Sequence, residues 1–164
     1  MSYNKTCKLW IEGDKVYPYA GLLKHQEQVG PDCVATSLAV IAGVSPSDFQ
    51  DEINTQDPRT WSDALKRYGM RLAYCPADVR RLKYYIRELI NYNGIFLLSY
   101  YTGSLLSEPD EHGWVCPSHI VVLGGDTIFD SLSSKPEHAI GHVCNEYHTK
   151  RIFRVVRDSD PRGL

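Results

Sequence analysis

His119 and Asp130 lie eleven residues apart in Ser-His-Ile-Val-Val-Leu-Gly-Gly-Asp-Thr-Ile-Phe-Asp-Ser, the segment 118–131. Gly-Gly between two apolar runs favours a two-residue hairpin turn, and a turn at Gly124 and Gly125 sets His119 directly opposite Asp130. Directly opposed residues of an antiparallel pair have Cβ atoms roughly 4.5–5.5 Å apart, within reach for a carboxylate to accept an imidazole N–H and fix the ring's tautomer. That pairing is the base-and-orienter half of a nucleophilic triad. A three-residue turn that includes Asp126 would pair His119 with Ser131 and move Asp130 to the other face, so the expectation depends on register.

The expected nucleophile is Cys33. Asp32 stands where a helix cap would, Val34, Leu38 and Ile41 recur at helical spacing, and Gly43 sits where the helix should stop, so 33–42 reads as a helix with Cys33 in its first turn. A helix N-terminus carries roughly half a positive charge and unpaired N–H groups, both of which favour a thiolate. The Asp32 carboxylate would oppose that thiolate if it pointed inward, and is therefore expected to cap the helix. Acyl transfer also needs donors for a developing oxyanion, and the Cys33 backbone N–H with the side-chain amide of Gln26 or Gln28 can supply them.

The run 25–40, His-Gln-Glu-Gln-Val-Gly-Pro-Asp-Cys-Val-Ala-Thr-Ser-Leu-Ala-Val, followed by His119-Ile-Val-Val-Leu and Asp130-Ser, resembles the papain-like cysteine peptidase domains of the bacteriocin-processing type. In that family a glutamine, a cysteine opening a helix, a histidine opening a strand and an aspartate on the next strand occur in this order. The resemblance implies a papain-like fold in which Cys33 is the nucleophile, His119 the general base and acid, and Asp130 its orienter. Where the family places its glutamine this chain has Glu27, flanked by Gln26 and Gln28, and Val34 stands where glycine commonly follows the cysteine. The interval from His119 to Asp130 is also shorter than in the transporter-linked members.

The remaining pattern says what must position these groups. Short helices are expected over 46–53 and 60–68, the second closed by Gly69, with a strand over 70–75. From Asp78, Val79, Leu82, Ile86, Leu89 and Ile90 mark the apolar face of an amphipathic helix broken at Gly94, its basic face solvated. Residues 95–101 read as a buried strand. The loop over 102–117 is long enough to be a lid, and Trp114 within it is a candidate substrate-binding residue. After the hairpin comes a polar stretch, a last strand over 151–157 and a tail over 158–164 expected to be disordered. Helices early and strands late indicate an α+β fold, with the helices packed on an antiparallel sheet.

A chain of 164 residues with 43% hydrophobic side chains suits one domain, 1–164. A net charge of -2 gives no field that would recruit nucleic acid or an anionic membrane. Neither a secretory signal nor a membrane span is apparent, which points to the cytoplasm, and a peptidase reading implies a protein or peptide substrate. Five cysteines, at 7, 33, 75, 116 and 144, form no disulfide framework and read as reduced. No cofactor is expected. The leading expectation is a Cys33-His119-Asp130 hydrolase, a peptidase first, with a deamidase, amidase or acyltransferase using the same groups. Two rivals stand beside it: a catalytically inactive binding or inhibitor module on the same fold, and a metal site at His112, Cys116 and His119, with His142, Cys144 and His148 as a second cluster.

Overall fold

The structure, a computed structural model, describes residues 20–28, 30, 32–102 and 118–164. The readings that fall on Cys7, His112, Trp114, Cys116 and the lid-like loop lie outside the described residues. The rest forms an α+β fold: three helices, the first beginning at Cys33, packed on a six-stranded antiparallel sheet.

Helix α1 spans Cys33–Ala42, with every residue from Val34 onward buried. It ends at Gly43, whose φ of 70° is left-handed and where a Cβ would run into the Leu22 carbonyl. Helix α2 (Pro58–Leu65) starts where the Asp57 carboxylate accepts the Arg59 N–H at 3.1 Å, and Pro58 needs no N–H there. Helix α3 (Lys83–Tyr92) stops at Asn93 with φ 50°.

The strands are β1 (Met70–Cys75), β2 (Ile95–Tyr101), β3 (Ser118–Gly124), β4 (Thr127–Phe129), β5 (Glu137–His138) and β6 (His148–Arg157), in the order β1-β6-β2-β3-β4-β5. Strand β2 is apolar almost throughout because both faces of the sheet are covered. Its Ile95 and Leu97 join Leu38, Ile41, Leu65 and Val122 under α1 and α2. Phe96 and Leu98 join Tyr85, Leu89, Val121 and Leu123 under α3.

Several expectations are corrected. Of the 46–53 helix only a 3-10 turn forms, Pro46–Asp48. Val79 is 54% exposed and precedes α3 rather than lying on its buried face. The 60–68 helix begins earlier, at the Asp57 cap, and its end tightens into a 3-10 turn over Lys66–Tyr68. The tail over 158–164 is not disordered: Leu164 N–H donates to Leu72 O at 2.8 Å, and Arg71 and Ser62 donate to the Leu164 oxygen, so the segment adds to the β1 edge. Among the described residues no helix is long and apolar enough to cross a membrane.

Candidate active site

The hairpin turn falls on Gly125 and Asp126, not on Gly124 and Gly125. Gly124 stays in β3 opposite Thr127, where a side chain would run into Leu23 and Phe129, and the left-handed φ of 61° falls on Gly125. Val122 therefore faces Phe129, a shift of two residues from the expected pairing. Because side chains alternate with a period of two, that slip keeps His119 and Asp130 on one face. They are no longer directly opposed, yet Asp130, just past the end of β4, reaches His119 at 2.8 Å between Oδ1 and Nε2.

Both groups are buried, at 8% and 6% exposure, so their contact is little screened by solvent. Asp130 Oδ1 also accepts the Leu132 N–H at 3.0 Å, and Oδ2 accepts from His142 Nε2 at 2.9 Å. Burial resists charging of the Asp130 carboxyl, but the hydrogen bonds from His119, His142 and Leu132 outweigh it and hold the group well below the usual carboxylate range. His119 is the complement. Burial opposes its charge, while hydrogen bonds with Asp130 and then Cys33 raise its pKa to about 9. With Nε2 committed to Asp130, Nδ1 is the ring nitrogen left for the sulfur.

Sequence reasoning gave His142 to a metal cluster and so missed its role beside Asp130. Its Nδ1 accepts the Cys144 N–H at 2.9 Å, which fixes the neutral tautomer and makes Nε2 the donor to Asp130. Both nitrogens are thus occupied, and no group of three metal-ligating side chains occurs among the described residues. His142→Ala is expected to cost about 1–3 kcal/mol, the usual penalty for leaving a buried acceptor without its partner, as read from urea unfolding.

Cys33, half-buried at the start of α1, shares a cleft of about 210 Å³ with His119, Ile120, Trp61 and Gln56. Packing of α1 on β3 brings them together. Asp32 occupies the N-cap position, but its side chain makes no capping bond and instead accepts from Gln50 Nε2 at 2.9 Å. This corrects the expected cap.

Neither upstream glutamine lines the cleft. Gln26 donates to Val44 O at 2.5 Å, beyond the C-terminal end of α1, whereas Cys33 is at the other end. Gln28 accepts from Ser131 Oγ at 2.6 Å and donates to Gly30 O at 2.7 Å. With the Gln28 N–H on Ser131 O and His25 Nε2 donating to Ser133 O at 2.7 Å, it clasps the turn that carries Asp130. Among the described residues the glutamine that lines the cleft is Gln56, and Trp61, pinned by an Nε1–H bond to Asn54 O at 2.8 Å, is an aromatic wall. Both sit in a segment whose sequence advertises only a helix start.

No protein-family model matches the chain, and no curated protein sequence matches it. The functional reading therefore rests on the site.

Proposed function

We propose that this chain is a papain-like, cysteine-dependent hydrolase that cleaves an amide or peptide bond through a Cys33-His119-Asp130 triad. The observation that carries the reading is a buried His119 bonded through Nε2 to Asp130, with Cys33 lining the same open cleft. In the first half-reaction the sulfur attacks the carbonyl carbon, and a proton held on His119 Nδ1 passes to the leaving amine as the C–N bond breaks. His119 then takes a proton from water as its oxygen attacks the thioester, releasing the acid and restoring the thiol. The Cys33 N–H, at the start of α1 where Asp32 makes no capping bond, serves the oxyanion, and Gln56 lines the same cleft. The thiols of Cys33 and Cys144, in no disulfide, fit a reducing cytoplasmic compartment.

Alkylation with iodoacetamide at pH 6 tests this. Cys75 and Cys144 are buried, and burial with the nearby Asp130 charge pushes Cys144 up to about 12, so slow labelling of those two decides nothing. The informative comparison is with a small free thiol: Cys33 should react on the order of tenfold faster or more, since a neighbouring imidazole assists attack by the sulfur and the small thiol has none. His119→Ala should erase the advantage. A Cys33 that reacts no faster than the small thiol would favour a binding module.

A further inference from the structure

Three donors converge on the Asp130 carboxylate, and they divide unevenly between its oxygens. Oδ1 accepts from His119 Nε2 at 2.8 Å and from the Leu132 N–H at 3.0 Å, while Oδ2 accepts from His142 Nε2 at 2.9 Å. The two bonds on Oδ1 keep that oxygen aimed at His119 whatever happens at Oδ2. What the His142 bond changes is the charge that His119 meets, because a carboxylate already accepting a second side-chain N–H pulls less strongly on an imidazolium.

His142 is fixed for that purpose. Its residue is 3% exposed and sits between the 3-10 turns Ala139–Gly141 and Val143–Glu146. The buried Asn145 amide donates to the carbonyls of Ala139, Ile140 and His142, which holds the backbone of both turns. The Cys144 N–H on Nδ1 leaves Nε2 as the donor. Glu137 Oε1 is 3.9 Å from that nitrogen, too far for a hydrogen bond, and the buried Cys144 thiol feels both carboxylates. From α3, which packs on the two turns, the buried titratable group is Tyr85, whose hydroxyl accepts the Asp78 N–H at 2.7 Å. Around His119 stand Asp130, Cys33 and the ring of Tyr100, edge-to-face at 5.8 Å, with Lys150 and Arg151 lining the same cleft.

We propose that His142 is a positioning residue that acts on His119 through Asp130: by taking up part of the carboxylate's charge it lets the His119 ring shed its proton in time to hydrolyse the acyl-enzyme. The inference rests on Cys33 being the nucleophile. In the acyl-enzyme the sulfur is bound in a thioester and carries no charge, so Asp130 is the anion bonded to the ring. The ring must be neutral to take the proton of the attacking water, whose oxygen bonds to the thioester carbon as the C–S bond breaks. The imidazolium then returns the proton to the departing sulfur. The more strongly Asp130 draws the imidazolium, the fewer rings are ready for the water.

The first test needs no turnover. Proton NMR of the His119 Cε1–H reads its midpoint, expected at about 9 in the parent. In His142→Phe, which fills the space without a donor, that midpoint should rise by about one pH unit, the scale of a hydrogen bond to a charged group passed on in part. His142→Gln, whose amide can donate to Oδ2, should bring it back toward the parent. A midpoint that stays or falls in His142→Phe overturns the proposal. Circular dichroism checks the fold of both variants, and if His142→Phe is unfolded the parent decides: the nitrogen-15 signal of His142 Nε2 should move through the His119 midpoint, and a flat signal overturns the coupling. The second test follows, by intact mass at pH 7, the loss of acetyl from Cys33 after treatment with p-nitrophenyl acetate. The loss should slow about threefold in His142→Phe, about tenfold fewer neutral rings being partly offset by the stronger base. An unchanged rate beside a raised midpoint removes His142 from the reaction. Acetyl lost from the parent no faster than from a small thioester would instead remove the hydrolase, and the proposal with it.

Discussion

Asp130→Asn should reduce peptide hydrolysis on the order of 10³–10⁴-fold, the scale of losing the carboxylate that orients a catalytic histidine. The carboxylate accepts from three donors at once: His119 Nε2, His142 Nε2 and the Leu132 N–H. An amide of the same shape has one accepting oxygen and turns its NH2 toward one of the two imidazoles. His142 cannot adapt by changing tautomer, because its Nδ1 already accepts from Cys144 N–H. The only relief is for His119 to present a bare Nε2, which moves its proton to Nδ1, the atom that must receive one. Loss of the buried carboxylate should also lower stability by about 3 kcal/mol. Turnover of a pooled fluorogenic peptide library reads the first effect and the urea midpoint the second. A variant as stable and as active as the parent would remove Asp130 from the site.

The largest pH effect should come from His119. Its folded pKa, about 9, lies above the ordinary value of 6.5, so protonation stabilises the fold. That contribution is fully present below pH 6.5 and is lost as pH rises through about 9. Asp130 works in the opposite sense: its depressed pKa gives stability that is present above the usual carboxylate range and lost only in strong acid. The stability difference between the parent and His119→Gln should therefore be greatest near pH 6 and shrink by about 2–3 kcal/mol by pH 10. Urea unfolding at the two pH values measures it. Hydrolysis should fall over the same alkaline window, because the leaving amine needs the His119 proton, whereas alkylation of Cys33 has no such need and should persist. A stability difference that is flat with pH would mean that the ring carries no charge in the folded chain.

Much of this site could be read from local patterns. Helix α1 begins at Cys33 and ends before Gly43 as its spacing and its glycine dictate. Strands β1 and β2 match their expected bounds because each lies between Gly69 or Gly94 and a polar or proline break. The approach of His119 to Asp130 survived a misplaced turn because a slip of two residues preserves the face. What escaped depends on partners distant in the chain. Gln26 had the right residue type, but its amide is claimed by Val44 O, a bond visible only once α1 is folded. His142 sits between two 3-10 turns whose sequence has no apolar period, so nothing local shows that it points at Asp130. A bulge in β6, where Ser99 lies opposite Arg151 but Tyr100 opposite Thr149, is a property of two strands in register, and alternation along one strand cannot reveal it.

The order of the elements gives the proposed triad an uneven construction. His119 and His142 both bond to Asp130 within one short stretch, whereas Cys33 arrives on a separate helix, α1, packed against β3. The base is thus assembled locally and the sulfur is delivered to it. Removing a few methylenes beneath α1, at Leu38 or Val122 where the helix meets β3, would leave every charge in place and still shift the nucleophile off its mark. Chemistry in this molecule is as exposed to damage in its oily interior as at its polar mouth.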